Sequence, residues 1–118
     1  MNTFLAIYTG TPASMAKWND LSEKERSDRQ SAGIAAWQAW AEKNKGAIVE
    51  MGSPLGKTKS VSSSGISDIK NNMTAYTLVK SESHGAAAKL FENHPHFTIF
   101  PGDGVEVMEC LPIPSTQM

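Results

Sequence analysis

Residues 3–8, Thr-Phe-Leu-Ala-Ile-Tyr, are rich in β-branched and aromatic side chains and are followed by Gly10 and Pro12, so they predict a β-strand that ends at a turn. Side chains alternate between the two faces of a strand. One face of this strand carries Phe4, Ala6 and Tyr8, and the other carries Leu5 and Ile7. Both faces are apolar, which a strand with one face in water avoids, and the sheet therefore has to be covered on both sides.

The first predicted helix covers residues 23–45. Ser22 and Glu25 have the spacing of a capping box, in which the serine hydroxyl and the glutamate carboxylate each bind a free backbone N–H. The apolar stripe of this helix consists of Ile34, Ala36, Trp37, Trp40 and Ala41. Gly46 follows where a left-handed C-terminal cap would fall. The loop before the helix is predicted to hold a single helical turn at 14–18.

Three further strands are predicted at 47–51, 73–80 and 105–111, because each is apolar and is bounded by turn-forming residues. Between the first two of these, residues 57–72 are polar and serine-rich. Nothing in this arm offers a buried face that would hold one conformation. We expect it either to extend the second strand at the sheet edge or to form a mobile loop around 62–65.

A second helix is predicted to begin after Ser83, a residue type that caps helix N-termini. Its apolar face carries Ala87, Leu90, Phe91 and His94 at i, i+3, i+4 and i+7. Pro95 lacks a backbone N–H and cannot continue the helix. This pattern places His94 at the helix C-terminus, on the face that packs against the sheet.

The resulting order of elements, βαββαβ, indicates one α+β domain of the ferredoxin-like type over residues 1–118, with an antiparallel sheet and both helices on one face. The opposite face is then bare. The last strand also has two apolar faces, with Val105 and Val107 opposite Met108 and Cys110. The exposed apolar area of such a face would be larger than monomeric proteins carry. We therefore expect two chains to stack their sheets about a two-fold axis as a homodimer.

Composition restricts the partners and the compartment. Among 118 residues, 11 Lys and Arg stand against 12 Asp and Glu, and the net charge of −1 provides no basic field for nucleic acid. Cys110 is the single cysteine, so no intramolecular disulfide forms and a reducing, cytoplasmic location is expected. The N-terminus lacks the pattern of a signal peptide, and no run of ~18 apolar residues predicts a membrane span.

A resemblance to a known family covers most of the chain. It rests on residues 81–96, Ser-Glu-Ser-His-Gly-Ala-Ala-Ala-Lys-Leu-Phe-Glu-Asn-His-Pro-His, and on Gly-Val-Glu-Val-Met at 104–108. These segments resemble the C-terminal half of the YCII-related (DGPF-like) family, in which a residue-proline pair ends the second helix and a Val-Glu-Val-type strand follows. The Gly-Ser-Pro-Leu turn at 52–55 and the first strand with its Tyr8 fit the same pattern.

The resemblance implies a dimeric α+β barrel and, in some members, a His–Asp pair proposed as an acid/base centre. In that pair the histidine lies on the first helix, and the aspartate immediately precedes the helix-ending proline. This chain departs from the family at both places, because its first predicted helix contains no histidine and His94 stands before Pro95. His94 therefore occupies the position of one member of the pair.

His94 and His96 are the candidate catalytic residues, since imidazole exchanges protons near neutral pH and the rigid Pro95 holds the two rings close together. In the structural alternative, His94 interacts with the helix dipole and packs on its neighbours, while His96 lies at the surface. No metal site is predicted, because His84 lies ~15 Å from His94 along the same helix. No haem-ligation motif is present, and no cofactor is expected.

Tyr8, Trp37 and Glu106 are the candidate ligand-binding residues. The strands that carry Tyr8 and Glu106 are central in this fold, so both polar groups are predicted to face a pocket between sheet and helices, with Trp37 on its wall. The alternative for the two aromatic residues is plain core packing. Two functions follow: a cofactor-free enzyme that uses a histidine as acid or base on a small-molecule substrate, and a non-catalytic dimeric domain that binds a ligand or partner.

Overall fold

The computed structural model describes residues 1–114. In chain order, its elements are β1 (Asn2–Thr9), α1 (Pro12–Asn19), α2 (Glu23–Lys43), β2 (Ile48–Glu50), β3 (Thr58–Ser62), β4 (Gly65–Ile69), β5 (Met73–Ser81), α3 (His84–Lys89), α4 (Pro95–Thr98) and β6 (Gly104–Glu109). Within that range, none of the helices combines the length and the apolar character that a membrane span requires.

Four of the strands form one sheet in the order β2-β5-β1-β6, and every neighbouring pair is antiparallel. The elements β1-α2-β2-β5-α3-β6 follow the predicted βαββαβ order, and the ferredoxin-like α+β fold class is confirmed. The crossover through α2 leaves a gap between β1 and β2, and β5 fills this gap. Helix α1, the β3–β4 hairpin and α4 are additions to this frame.

The face of the sheet that the helices cover carries the hydrophobic core. Phe4, Ala6 and Tyr8 of β1 are buried there with Val79 of β5 and Ala87 of α3. The alternate residues of β1 point to the other side, as the pleat of a strand requires. One of the two apolar faces predicted for the first strand therefore packs against helices of the same chain.

Helix α2 presents a stripe that differs from the predicted one. Ile34 is 46% exposed, whereas Gly33 is buried. A Cβ on Gly33 would lie 2.5 Å from the ring of Phe100. The missing side chain is therefore what allows the Phe100 ring to pack directly on the helix backbone.

Of the two caps predicted for α2, the structure contains the N-terminal one but not the C-terminal one. Ser22 and Glu25 form the predicted capping box. Gly46 has no positive φ, so the predicted left-handed cap is wrong. Instead, the side-chain amide of Asn44 donates to the carbonyl of Trp40 at 2.9 Å, and its backbone N–H does so at 3.0 Å, which satisfies a carbonyl at the helix end. The predicted single turn before α2 is a two-turn helix, α1.

The second predicted helix is interrupted. The side chain of Ser83 accepts from the N–H of Ala86 at 3.1 Å, as an N-cap does, but beyond Lys89 the backbone bonds run three residues back rather than four. Asn93 then adopts a φ of 56°, and His94 is extended, because a residue before proline avoids the helical region. His94 therefore does not end α3, as predicted, but caps the N-terminus of α4.

The serine-rich arm adopts neither of its predicted conformations. It forms an antiparallel hairpin, β3–β4, that is separate from the main sheet. Gly65 has a φ of 114° and supplies the tight reversal between the strands. Val61 and Ile66 face each other across the hairpin, and both are exposed.

The second face of the main sheet, here called the uncovered face, is less protected than the first: its β1 residues are half-buried, whereas those on the helix-covered face are fully buried. Leu5 and Ile7 of β1 lie on this uncovered face. Their cross-strand partners there are Leu78 and Tyr76 of β5 and Met108 and Glu106 of β6. The second apolar face predicted from the sequence is therefore real and is open in the single chain.

Candidate active site

His94 and His96 lie in a cluster of rings on the helix-covered side of the sheet. The Tyr8 ring centroid is 5.1 Å from that of His94 and 5.2 Å from that of His96. Trp37 lies 4.5 Å from His94 and 6.2 Å from His96. Trp40, 4.7 Å from His94, completes the cluster. The two histidines therefore share Tyr8 and Trp37 as neighbours.

The His94 ring is fully buried and is held in one tautomer. Its Nδ1 atom accepts a hydrogen bond from the backbone N–H of His96 at 3.0 Å. The proton of the neutral ring therefore sits on Nε2, which has no hydrogen-bond partner among residues 1–114. Burial, reinforced by the charge of His96, lowers the pKa of His94 from 6.5 to about 4. His94 is consequently neutral at physiological pH.

The His96 ring is bound to the first strand. Its Nε2 atom lies 2.8 Å from the carbonyl oxygen of Thr9. A carbonyl only accepts, so Nε2 carries the proton and Nδ1 keeps the lone pair of the neutral ring. Burial lowers the pKa of His96, opposed by the hydrogen bond to Thr9 and by the charge of Asp103. His96 is therefore a base whose basic atom is Nδ1.

These positions contradict two parts of the structural alternative, the dipole interaction of His94 and the surface position of His96, whereas His94 does pack on its neighbour Phe91. His94 lies at a helix N-terminus, where the helix dipole disfavours a positive charge, and not at a C-terminus. His96 is only 8% exposed and does not lie at the surface. The physical cause is Pro95, which opens α4 as its first residue and turns both rings inward instead of ending a longer helix.

The turn before β6 positions His96. A Cβ on Gly102 would overlap the His96 ring, so only glycine lets the chain pass this close. Asp103 accepts hydrogen bonds from the hydroxyl of Ser14 and from the backbone N–H of Thr11 at the start of α1. The Ser14 bond is the main reason that the pKa of Asp103 is lowered. The sequence identified this segment only as a turn.

Tyr8 is joined to the sheet through a buried hydroxyl pair. The hydroxyl of Thr77 donates to the carbonyl of Met51 at 2.9 Å, so the Tyr8 hydroxyl is the donor in its 2.9 Å bond to Thr77. Burial raises the pKa of Tyr8 to about 12, although the Thr77 bond lowers it. The phenol is therefore neutral, and its single proton is already used.

Two clefts adjoin the ring cluster. The aromatic cleft, about 410 Å³, lies between α2 and the segment after β2. Its lining includes the rings of Tyr8, Trp37 and Phe100. The His96 cleft, about 490 Å³, lies beside the start of α1 and the start of β5, with His96 on its wall. The two clefts share Ala75 and Phe100, and their sizes suit small organic ligands.

Glu106 is the one predicted site residue that does not lie on the same side of the sheet as the ring cluster. Val105 and Val107 pack against the core on the helix-covered side, so strand alternation places Glu106 on the uncovered face, opposite Ile7. The prediction that Glu106 faces a pocket between sheet and helices is wrong. In the part of the chain that the structure describes, no group of three histidine, cysteine, aspartate or glutamate side chains could hold a metal ion.

Two residues of the site were missed in the sequence. Thr77 is buried beneath Tyr8, and alternation counted back from Val79 would have placed it on the core face of its strand. Phe100 lines both clefts. It lies in the irregular segment between α4 and β6, where no periodic pattern indicates which way a side chain points.

Neither the protein-family models nor the curated proteins include a match to this sequence. Among solved structures, the fold is similar to 5-chloro-2-hydroxyhydroquinone dehydrochlorinase from Burkholderia phenoliruptrix AC1100, solved in complex with 2,5-dihydroxybenzoquinone. The match covers 97% of each chain with 19% sequence identity and a TM-score of 0.53. At this identity the likeness shows the fold alone.

Proposed function

We propose that this protein is a cofactor-free small-molecule enzyme in which His96 acts as general acid and base on a substrate in the two adjoining clefts. The tautomer of His96 carries the proposal. The Thr9 carbonyl keeps the proton on Nε2 and leaves the Nδ1 lone pair on a ring that borders a cleft. A hydrogen bond from one ring nitrogen to an acceptor fixes the tautomer of a histidine, so that the other nitrogen is free to take up a proton.

His94, the other catalytic candidate, is less suited to take up a proton. Its Nδ1 lone pair is occupied by the N–H of His96, and its Nε2 atom is buried and already protonated. Its pKa of about 4 also makes it a weak base at neutral pH. We therefore assign proton transfer to His96, while the N-cap bond of His94 holds the backbone of His96 in place.

The proposed substrate is a small planar ring compound with polar oxygen atoms. The lining of the aromatic cleft includes Tyr8, Trp37 and Phe100, whose rings favour stacked or edge-on contact with another ring. The fold neighbour is a dehydrochlorinase named for a hydroxylated aromatic ring and was solved with a dihydroxybenzoquinone. Ring ketones, quinones and quinols are therefore the first compounds to test.

2-Tetralone, an aromatic ketone with acidic C–H groups, tests the proposed base. We expect the protein to catalyse solvent deuterium exchange at these carbons, measured by NMR, faster than free imidazole at the same concentration. His96→Ala should lower the exchange rate by about 10²–10⁴-fold, because a positioned base contributes that much. The matched control is His84→Ala, which removes an exposed histidine of α3 and should keep the original rate.

An unchanged exchange rate in His96→Ala, or a rate for the unmodified protein no higher than that of imidazole, contradicts the proposed enzyme. If 2-tetralone then binds without exchange, the second function is favoured, namely a non-catalytic dimeric domain that holds a ring ligand. One observation favours this second function. Helix α2 contains no histidine, whereas the YCII-related family that the sequence resembles carries there one half of its proposed acid/base pair.

We also propose that the uncovered sheet face binds a second copy of the chain, and that this homodimer works in the cytoplasm, where the exposed thiol of Cys110 stays reduced. Leu5→Lys should convert the dimer to a monomer in sedimentation velocity, because a two-fold interface would bury two unpaired ammonium groups. Ile34→Lys, on α2 at the other side of the sheet, should leave the dimer intact. A monomeric unmodified protein at micromolar concentration would contradict the proposal.

A further inference from the structure

The Nε2–H group of His94 is a buried donor without an acceptor among the described residues. Because Nδ1 faces the backbone N–H of His96, Nε2 lies on the distal edge of the ring, towards the side chains around it. The rings packed around His94 are Tyr8, Trp37, Trp40 and Phe91, with centroids 4.5 to 5.9 Å from it. Burying a donor without an acceptor destabilises a fold, and a group kept in this state calls for an explanation.

Trp37 separates this donor from the aromatic cleft. Its ring packs edge-on against His94 at an interplanar angle of 89°, and it also lines the cleft. The neighbouring Trp40 is anchored by a 2.7 Å bond from its indole N–H to the carbonyl of Leu90. No such bond holds the indole of Trp37 among residues 1–114. Trp37 is therefore held by packing alone, and it contacts both His94 and the cleft.

We propose that His94 Nε2–H is a second catalytic group, which donates a hydrogen bond to a carbonyl oxygen of a substrate that enters past Trp37. The substrate class is then a ring ketone with an acidic C–H group on the carbon next to the carbonyl. This inference rests on the proposed function, because His96 supplies the base. A neutral imidazole suits the task, since a preorganised donor stabilises a developing oxyanion without first burying a positive charge.

The two histidines then divide one proton transfer. His96 Nδ1 takes the proton from carbon, the electron pair of the C–H bond forms a C=C bond, and the carbonyl π pair moves to oxygen. The His94 Nε2–H bond stabilises the resulting enolate oxygen. The protonated His96 returns the proton to the same carbon or to a conjugated one. No electrons are gained or lost, so exchange or isomerisation needs no added oxidant or reductant.

A matched ligand pair tests the donor apart from the base. 2-Tetralone and tetralin have the same ring frame, and only the ketone can accept a hydrogen bond. We expect His94→Asn to weaken binding of 2-tetralone about tenfold, while tetralin changes less than about twofold, because one hydrogen bond from a buried donor is lost. Asparagine keeps an N-cap acceptor for the N–H of His96. His84→Asn is the control and should change neither affinity.

A second measurement uses the unmodified protein and does not depend on how a variant folds. The Nε2–H resonance of His94 in proton–nitrogen NMR should shift on addition of 2-tetralone and stay in place with tetralin. Equal losses for both ligands in His94→Asn, or a His94 resonance that ignores 2-tetralone, would overturn the inference.

The failure of this inference can be told apart from the failure of the proposed function. If His96→Ala abolishes deuterium exchange but the His94 resonance ignores 2-tetralone, the base is right and the donor is wrong. If the ketone-specific loss in His94→Asn is observed while His96→Ala exchanges normally, the donor stands as a binding group and the proposed base is wrong.

Discussion

Lowering the pH from 7.5 to 4.5 is expected to reduce the free energy of unfolding by on the order of 2 kcal/mol through His94. The pKa of His94 is about 4 in the fold against 6.5 for an unburied histidine. A pKa lowered by folding contributes stability that is fully present above the unfolded value and is lost as the pH falls towards the folded value. The window is therefore pH 6.5 to 4, and His96 acts in the same direction because burial lowers its pKa.

Urea unfolding followed by circular dichroism at both pH values measures this effect. His94→Asn keeps a capping acceptor and removes the titrating ring, so its stability should depend much less on pH, although a cavity lowers it at every pH. Asp103, whose pKa is also lowered, loses its contribution only at lower pH. Equal pH dependence in the unmodified protein and His94→Asn would show that His94 is not held neutral by the fold.

Gly52→Ala is expected to lower the free energy of unfolding by about 3 kcal/mol or more. Gly52 has a φ of 73°, which a residue with a Cβ adopts only under strain. An added Cβ would also overlap the carbonyl oxygen of Tyr76, which belongs to β5 at the centre of the main sheet. Because backbone in a paired strand yields less readily than a side chain, the segment after β2 has to move. That movement should also narrow the aromatic cleft, whose wall includes Gly52.

The matched control for this change is Gly46→Ala. Gly46 has no positive φ, and a Cβ there would meet no atom within 4 Å. Its effect on urea unfolding should stay within about 0.5 kcal/mol. Binding of 2-tetralone should weaken in Gly52→Ala and not in Gly46→Ala. Equal stability of the two variants would mean that the segment after β2 does not hold the described conformation.

Much of the fold could be predicted because it depends on local patterns. Strand alternation in residues 3–8 identified both faces of β1, and the capping pair Ser22 and Glu25 identified the start of α2. The βαββαβ order then restricted the sheet to one antiparallel arrangement. Each of these inferences uses the period of an element or the chemistry of its end, and both can be read within a few residues.

The candidate site was only partly predictable, because its geometry depends on contacts between distant segments. His94 and His96 were singled out by their chemistry, but the predicted helix placed His94 at the wrong helix end. The bond from His96 Nε2 to Thr9 joins residues 87 positions apart. Glu106 was assigned to the wrong face, since nothing within β6 distinguishes the side that meets helices from the open side.

By itself, the sequence determined the number and order of the core elements, the two apolar faces of β1 and the presence of two imidazoles around Pro95. These depend on local periodicity and on residue chemistry. The tertiary structure alone decided that both rings turn inward against Tyr8 and Trp37, which ring nitrogen carries each proton, and which sheet face stays open. The physical reason is that burial and hydrogen-bond partners, which determine tautomer and pKa, come from segments that meet only when the chain has folded.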